Sequence, residues 1–160
     1  MRAPEPLSSK SPIAGFDCGK PSLNDWLQRH ALQAQGCGSA RSYVVVSDAQ
    51  VLGYYSLVVG QVEPMEAPER IRKGMGQYPI PVMLLARLAV SQSAQGQGIG
   101  IGLLQDAIRR TLNIAEQTGI RAILTHPIDE DATRLYQKFG FEASPLRPDQ
   151  LLILLKDAKR

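Results

Sequence analysis

The chain has 160 residues, 44% hydrophobic and 21% charged, with a formal net charge of +3. That is an ordinary globular balance in one domain's length of chain; it excludes a disordered or collagen-like protein, and the charge is too small to identify a nucleic-acid binder. No apolar run approaches the ~20 residues of a membrane span. MRAPEPLSSKSP has no apolar signal core, and Cys18, Cys37, His30 and His126 have no metal-ligand spacing. The expectation is a cytoplasmic protein with unpaired thiols and no metal.

Residues 13–20 read as a turn-rich start, after which Pro21 suits the first turn of a helix. Leu23, Trp26, Leu27, Ala31 and Ala34 recur at helical spacing, which predicts one amphipathic helix over 21–35 ended by Gly36 and Gly38. On that stripe Trp26 reads as core in preference to a stacking residue. SYVVVS at 42–47 and VLGYYSLVVGQV at 51–62 form a hairpin around Asp48-Ala49-Gln50. The Pro-, Met- and Gly-rich stretch 64–81 is long enough for a lid or recognition loop. A strand over 82–90 follows, then a helix from about Ile99 to Gln117 that stops near Gly119. IRAILT at 120–125 reads as a central strand. Asp129 or Asp131 caps a short helix through Phe139, with Gly140 as its stop. Phe141 opens another strand, and LLILL at 151–155 closes the sheet. The sum is a single mixed α/β (α+β) domain over residues 1–160, without repeat or linker.

The chemistry concentrates between the strand at 82–90 and the helix that follows. Gly96, Gly98, Gly100 and Gly102 fall at alternate positions where that helix begins. Glycines there let backbone N–H groups approach an anion, and a helix N-terminus adds partial positive charge, so the segment is a phosphate cradle. A P-loop needs Lys and then Ser or Thr after its last glycine, whereas Gly100 precedes Ile101 and Gly102. A Rossmann turn also fails, because its last glycine position falls on Ile101 or Leu103. Gln95-x-x-Gly98-x-Gly100 resembles the acetyl-CoA signature of the GNAT acetyltransferase superfamily. The resemblance implies acetyl-CoA as donor. It implies cofactor contacts at Leu88, Ala89 and Val90 on the strand, and at Gln95, Gly96, Gln97, Gly98, Ile99, Gly100, Ile101 and Gly102 in the cradle. It also implies a central, mostly antiparallel sheet flanked by helices, with a splayed central strand pair.

A second motif follows about forty residues on. Asp129-x-x-Ala132-x-x-x-Tyr136-x-x-x-Gly140-Phe141 is similar to the GNAT pattern of a tyrosine-bearing helix ending at Gly-Phe, with Asp129 in place of the usual Asn. Resemblance then narrows to the GNAT toxins of bacterial type II toxin–antitoxin modules. It is carried by Gly15-Phe16-Asp17-Cys18-Gly19, Leu23-Asn24-Asp25-Trp26-Leu27, Ala40-Arg41-Ser42-Tyr43-Val44-Val45, Gly53-Tyr54-Tyr55, Pro79-Ile80-Pro81-Val82, Arg87-Leu88-Ala89-Val90 and His126-Pro127-Ile128-Asp129. The C-terminal Leu154-Leu155-Lys156 fits as well. Ile101 departs from this family, in which many members carry an arginine near the phosphates.

That family acetylates the amino group of aminoacyl-tRNA and is held by a ribbon-helix-helix antitoxin, so DNA is reached only through the antitoxin; a homodimer is implied too. Tyr136 is the implied catalytic acid, against the plain reading of a buried aromatic with a satisfied hydroxyl. Arg41, Arg70, Arg72, Lys73, Arg87, Arg109 and Arg110 are candidates to hold tRNA, against the plain reading of solvated surface charge. Two other functions remain open. One is a GNAT enzyme for a small or protein amine, favoured by the absence of a neighbouring antitoxin gene. The other is a cofactor-binding interaction protein in a DNA-bound regulatory complex, which an intact Tyr136 and any turnover would argue against.

Overall fold

A computed structural model describes residues 3–158. A short strand, β1 (Glu5–Pro6), precedes helices α1 (Pro21–Arg29) and α2 (Ala31–Cys37) and the hairpin β2 (Arg41–Ser47) and β3 (Gln50–Val62). After a connection that includes α3 (Glu69–Arg72), β4 (Ile80–Val90) leads to α4 (Ile99–Ala115) and β5 (Ala122–Thr125). The chain ends with α5 (Glu130–Lys138), β6 (Glu142–Ala143), β7 (Leu151–Leu154) and α6 (Leu155–Ala158). The strands form one seven-stranded sheet in the order β1-β2-β3-β4-β5-β7-β6. The pairs β1–β2, β2–β3, β5–β7 and β6–β7 are antiparallel, and β4–β5 is parallel across the α4 crossover.

Two compact units make up the chain: residues up to Val58 with Ala86–Ala107, and Val59–Leu85 with the remainder from Ile108. The first has a core of Phe16, Leu27, Ala31, Val44, Tyr54 and Ala89 among others. The second is built on Val62, Ile71, Ile80, Val82, Leu124 and Leu152.

In the second unit the β4–β5 ladder runs from Val82↔Ala122 to Leu85↔Thr125, while β4 itself continues to Val90. Pairing between the two strands therefore ends at Leu85, where β5 itself ends at Thr125, and Ala86–Val90 continues beyond it.

The predicted helix over 21–35 is two helices. His30, at φ −122°, leaves the helical region between them. The end of α2 is tied to β2: Ser42 N–H donates to Gln35 Oε1 (2.7 Å) and Arg41 Nη1 to Gln35 O (2.7 Å). Periodicity cannot see such a tertiary tie. Gly38, at φ 81°, ends α2 as expected, whereas Gly36 lies inside it. The two-residue β1 was not legible, since so short an edge segment containing a proline has no period to read.

The stretch 64–79 is anchored along much of its length, so it is not a free lid. Pro64 opens a 3-10 turn and Pro68 caps α3. Ala67 and Ile71 are buried. Arg121 pins the chain by donating to Ile71 O (3.0 Å) and Lys73 O (3.1 Å).

The β2–β3 hairpin turns through Asp48 at φ 50° and Ala49 at φ 62°, between the paired residues Ser47 and Gln50. Two positive φ angles define a turn whose twist suits a hairpin, and glycine is favoured at the second position. Ala49 bears Cβ strain there, so Ala49→Gly should raise the melting temperature by about 2 °C, against ~1 kcal/mol of relieved strain. Thermal unfolding checks this, and a lowered midpoint would contradict it.

Candidate functional site

The cradle lies in the first unit. Ser91 and Ala94 are buried on its strand side and Ile99 on its helix side, leaving Gln95–Gly98 exposed between them. Gly96 and Gly98 both sit at φ 81°, a conformation that side chains resist, and a Cβ at either would meet no atom within 4 Å. The space over the two glycines is open, which is what close approach of a phosphate requires. The first α4 bond, Gly102 N–H to Gly98 O (3.1 Å), commits the Gly102 N–H to the helix, so the unpaired donors of the first turn precede it. Ile101 projects from that turn 46% exposed.

Close packing beneath the cradle depends on Gly53. A Cβ there would lie 2.9 Å from Leu103 Cδ1, 3.1 Å from Ile99 Cγ2 and 3.1 Å from Ala89 O. Its absence lets the start of α4 lie directly against β3. The buried Tyr55 hydroxyl donates to the buried Asp106 carboxylate one helical turn further on.

A clasp made by the N-terminal segment faces the same loop. Asp17 Oδ1 accepts from Gly19 N–H (2.9 Å) and Asn24 Nδ2 (2.9 Å), and Asn24 Oδ1 accepts from Cys18 N–H (2.8 Å). The Gly19 N–H, then Asn24, hold the Asp17 carboxyl below its usual range. Gln92 N–H donates to Asp17 O (2.8 Å). Gln95 Nε2 bridges Cys18 O (3.3 Å) and Val90 O (3.2 Å), so the first residue of the glycine motif fastens the loop to both the strand end and the clasp. The sequence contained the components, Asp17-Cys18-Gly19 and Asn24, only as a family likeness. What it lacked was a sign that they close on Gln92 and Gln95.

Tyr136 belongs to the second unit. Asp129 caps its helix: Oδ1 accepts from Ala132 N–H (2.8 Å), and Thr133 Oγ1 donates to Asp129 O (2.9 Å). Aspartate thus fills the capping role that an asparagine fills equally well. Gly140 at φ 98° ends the turn, and Phe141 returns against Tyr136 with ring centroids 5.3 Å apart. Tyr136 is 4% exposed. Burial pushes its hydroxyl up to about 12, opposed by a hydrogen bond with the Thr125 side chain. Thr125 Oγ1 in turn gives its proton to Leu85 O (2.9 Å). The hydroxyl chain ends at the last paired residue of β4. Nothing in the sequence singled out Thr125.

Several basic candidates already have partners. Arg41 holds the Gln35 carbonyl. Arg87 lies with its guanidinium carbon 3.8 Å from the Trp26 ring centroid, and burial lowers its pKa. Trp26 in turn stacks on Tyr54 at 6.2 Å, at the edge of the first core, in keeping with its reading as core. Arg70 makes a two-nitrogen pair with Asp157. Arg72 and Lys73 are exposed; on α4, Arg109 is exposed and Arg110 half-buried. Cys18 (buried) and Cys37 (exposed) are free thiols, as expected. No helix among the described residues is long and apolar enough to cross a membrane.

Residues 38–143 match the acetyltransferase (GNAT) domain family. The chain is 42% identical over 157 residues to the tRNA-acetylating toxin of Mycobacterium tuberculosis (strain ATCC 25618 / H37Rv), covering 98% of this chain and 94% of that protein. Among solved structures it resembles AtaT complexed with acetyl-methionyl-tRNAfMet, with TM-score 0.88, 27% identity and coverage of 96% and 95% of the two chains. A tyrosine-to-phenylalanine mutant of AtaT, bound to the C-terminus of the antitoxin AtaR and acetyl-CoA, matches with TM-score 0.83 and 26% identity over 98% and 95%.

Proposed function

We infer that this chain, which belongs to the GNAT acetyltransferase family, moves an acetyl group from acetyl-CoA to the amino group of aminoacyl-tRNA, and that it does so as the toxin of a toxin–antitoxin pair. The observation that carries this reading is the end-to-end 42% identity to a protein named for acetylating tRNA. The AtaT structures with acetylated tRNA and with an antitoxin support the substrate and the partner.

Acetyl-CoA supplies the acetyl group as an activated thioester. The open space over Gly96 and Gly98 fits its pyrophosphate, with backbone N–H groups from Gln97 to Ile101 as donors. Leu88–Val90, on the end of β4 that runs past its ladder with β5, supplies a backbone N–H to the thioester oxygen as charge develops on it. The attacking α-amine has a pKa near ~8, lowered further by the ester at its carboxyl end, so much of it is neutral at physiological pH and it needs no strong base. As its nitrogen bonds to the acetyl carbon, the carbon–sulfur bond breaks. The nitrogen gives up its extra proton to solvent as the amide forms, while the Tyr136 hydroxyl, held protonated by burial, gives its proton to the departing sulfur and is reprotonated from solvent.

Purified protein added to a cell-free translation reaction should halt it only when acetyl-CoA is present. Undiminished synthesis with acetyl-CoA would contradict the reading.

The tRNA backbone needs cations, and Arg72 and Lys73 are the exposed pair of the loop trio, Arg70 being engaged by Asp157. Arg72→Glu with Lys73→Glu should raise KM for charged tRNA about tenfold and flatten its salt dependence, with acetyl-CoA affinity unchanged. An unaltered KM and salt slope would place the phosphate contacts on other residues.

A further inference from the structure

The second unit carries a half-open cavity of about 400 Å³ with an apolar wall of Val62, Val82, Leu84 and Leu124 and a polar side that includes Glu63, Glu66, His126, Arg147 and Gln150. The loop between β6 and β7 that brings Gln150 there is firmly closed. Ser144 Oγ donates to Glu66 O (2.5 Å) and accepts the N–H groups of Leu146 (3.3 Å) and Arg147 (3.2 Å), while Arg147 pairs with Glu66 at 2.9 Å. Gln150 is 5% exposed. Its Oε1 accepts from His126 Nε2 at 3.1 Å, but its Nε2 has no hydrogen-bond partner among the described residues. A buried donor left unpaired is unfavourable and rare, and the residue that carries it is part of the wall of this cavity.

Position on β5 relates this cavity to the chemistry. Side chains alternate along a strand, so Leu124 and His126 face the cavity while Thr125, between them, faces the other side and meets the Tyr136 hydroxyl. The β4–β5 ladder stops at Leu85↔Thr125. The cavity and the tyrosine hydroxyl thus lie on opposite faces of the sheet, level with the point where the two strands cease to pair.

We propose that this cavity receives the aminoacyl end of the acceptor and that Gln150 Nε2 donates to the carbonyl oxygen of the aminoacyl ester. This rests on the acceptor named above. The reacting amine must keep its lone pair for the acetyl carbon, so it cannot also accept from Gln150. Amino-acid side chains differ, and the apolar wall suits their carbon. The ester carbonyl is the acceptor that every aminoacyl end carries. Gln150 is therefore the residue that distinguishes an aminoacyl ester from an amine of similar size without a carbonyl.

The test uses the full chain with two variants. Gln150→Glu keeps the size and the bond from His126 and replaces the donor with a carboxyl oxygen; Gln150→Leu removes both without adding a charge. Each should raise KM for charged tRNA about tenfold with little change in kcat or in acetyl-CoA affinity in the folded protein. Alaninamide and alaninol, the same skeleton with and without a carbonyl, serve as minimal acceptors. The wild type should favour alaninamide, and both variants should level the ratio; comparing ratios cancels the differing basicity of the two amines. An unchanged KM in both folded variants, or a ratio that neither alters, overturns the role of Gln150 while acetylation of tRNA stands. A wild type that acetylates alaninamide with the expected preference but no charged tRNA overturns the tRNA reading and leaves the carbonyl contact standing. Acetylation of none of the three overturns both.

Discussion

Replacing Tyr136 with phenylalanine should lower kcat about 10²-fold or more while acetyl-CoA still binds. The ring keeps its packing on Phe141 at 5.3 Å, and Thr125 keeps its bond to the Leu85 carbonyl. What disappears is the proton of the tyrosine hydroxyl. The pH profile gives a second check on the same residue. Burial raises the Tyr136 pKa to about 12, so the hydroxyl stays protonated well above the range in which the amine titrates. Activity should therefore climb through the amine's pKa near ~8 and hold on the alkaline side. Wild-type turnover in the phenylalanine variant would make Tyr136 a packing residue. An alkaline fall that persists in that variant would belong to another group.

Gly98→Val should weaken acetyl-CoA binding well beyond tenfold, or ~1.4 kcal/mol. Two effects combine. The position sits at φ 81°, which a β-branched residue resists, and its Cβ would enter the open space left for the phosphates. Gly98→Asn separates the two effects, because asparagine tolerates the left-handed region and leaves mainly the occlusion. Calorimetry on variants with wild-type circular dichroism gives the comparison. Unchanged affinity in the folded valine variant would remove the pyrophosphate from this loop.

Local patterns carried most of the architecture into the sequence. The hairpin, the long strand, the glycine loop with its helix and the capped tyrosine helix each depend on alternation, a cap or a glycine within a few residues, and each is found in place. What stayed hidden depends on distant partners. His30 breaks a helix that periodicity draws through, where the Gln35–Arg41–Ser42 ties fix the second half. The stretch 64–79 reads as loose until Arg121, fifty residues on, is found bonded to Ile71 O. The site divides in the same way. The glycines and Tyr136 belong to motifs of fixed spacing, whereas the Gln95 bridge to Cys18 and the Thr125 contact with Tyr136 join residues that share no local pattern. Gln150 stands in an unremarkable Pro-Asp-Gln turn, and only its unpaired amide inside a cavity marks it. Charge was the least legible property, because a run of arginines does not disclose that Arg70 already has Asp157.

The most direct measurement is incubation of the protein with labelled acetyl-CoA and a pool of charged tRNAs, followed by nuclease digestion and mass analysis of the 3′-terminal nucleoside. The expected product is N-acetyl-aminoacyl-adenosine carrying the label, formed by the wild type and scarcely by the Tyr136→Phe variant. Label recovered only on free small amines or on protein lysines, with every aminoacyl-adenosine unmodified, would contradict it.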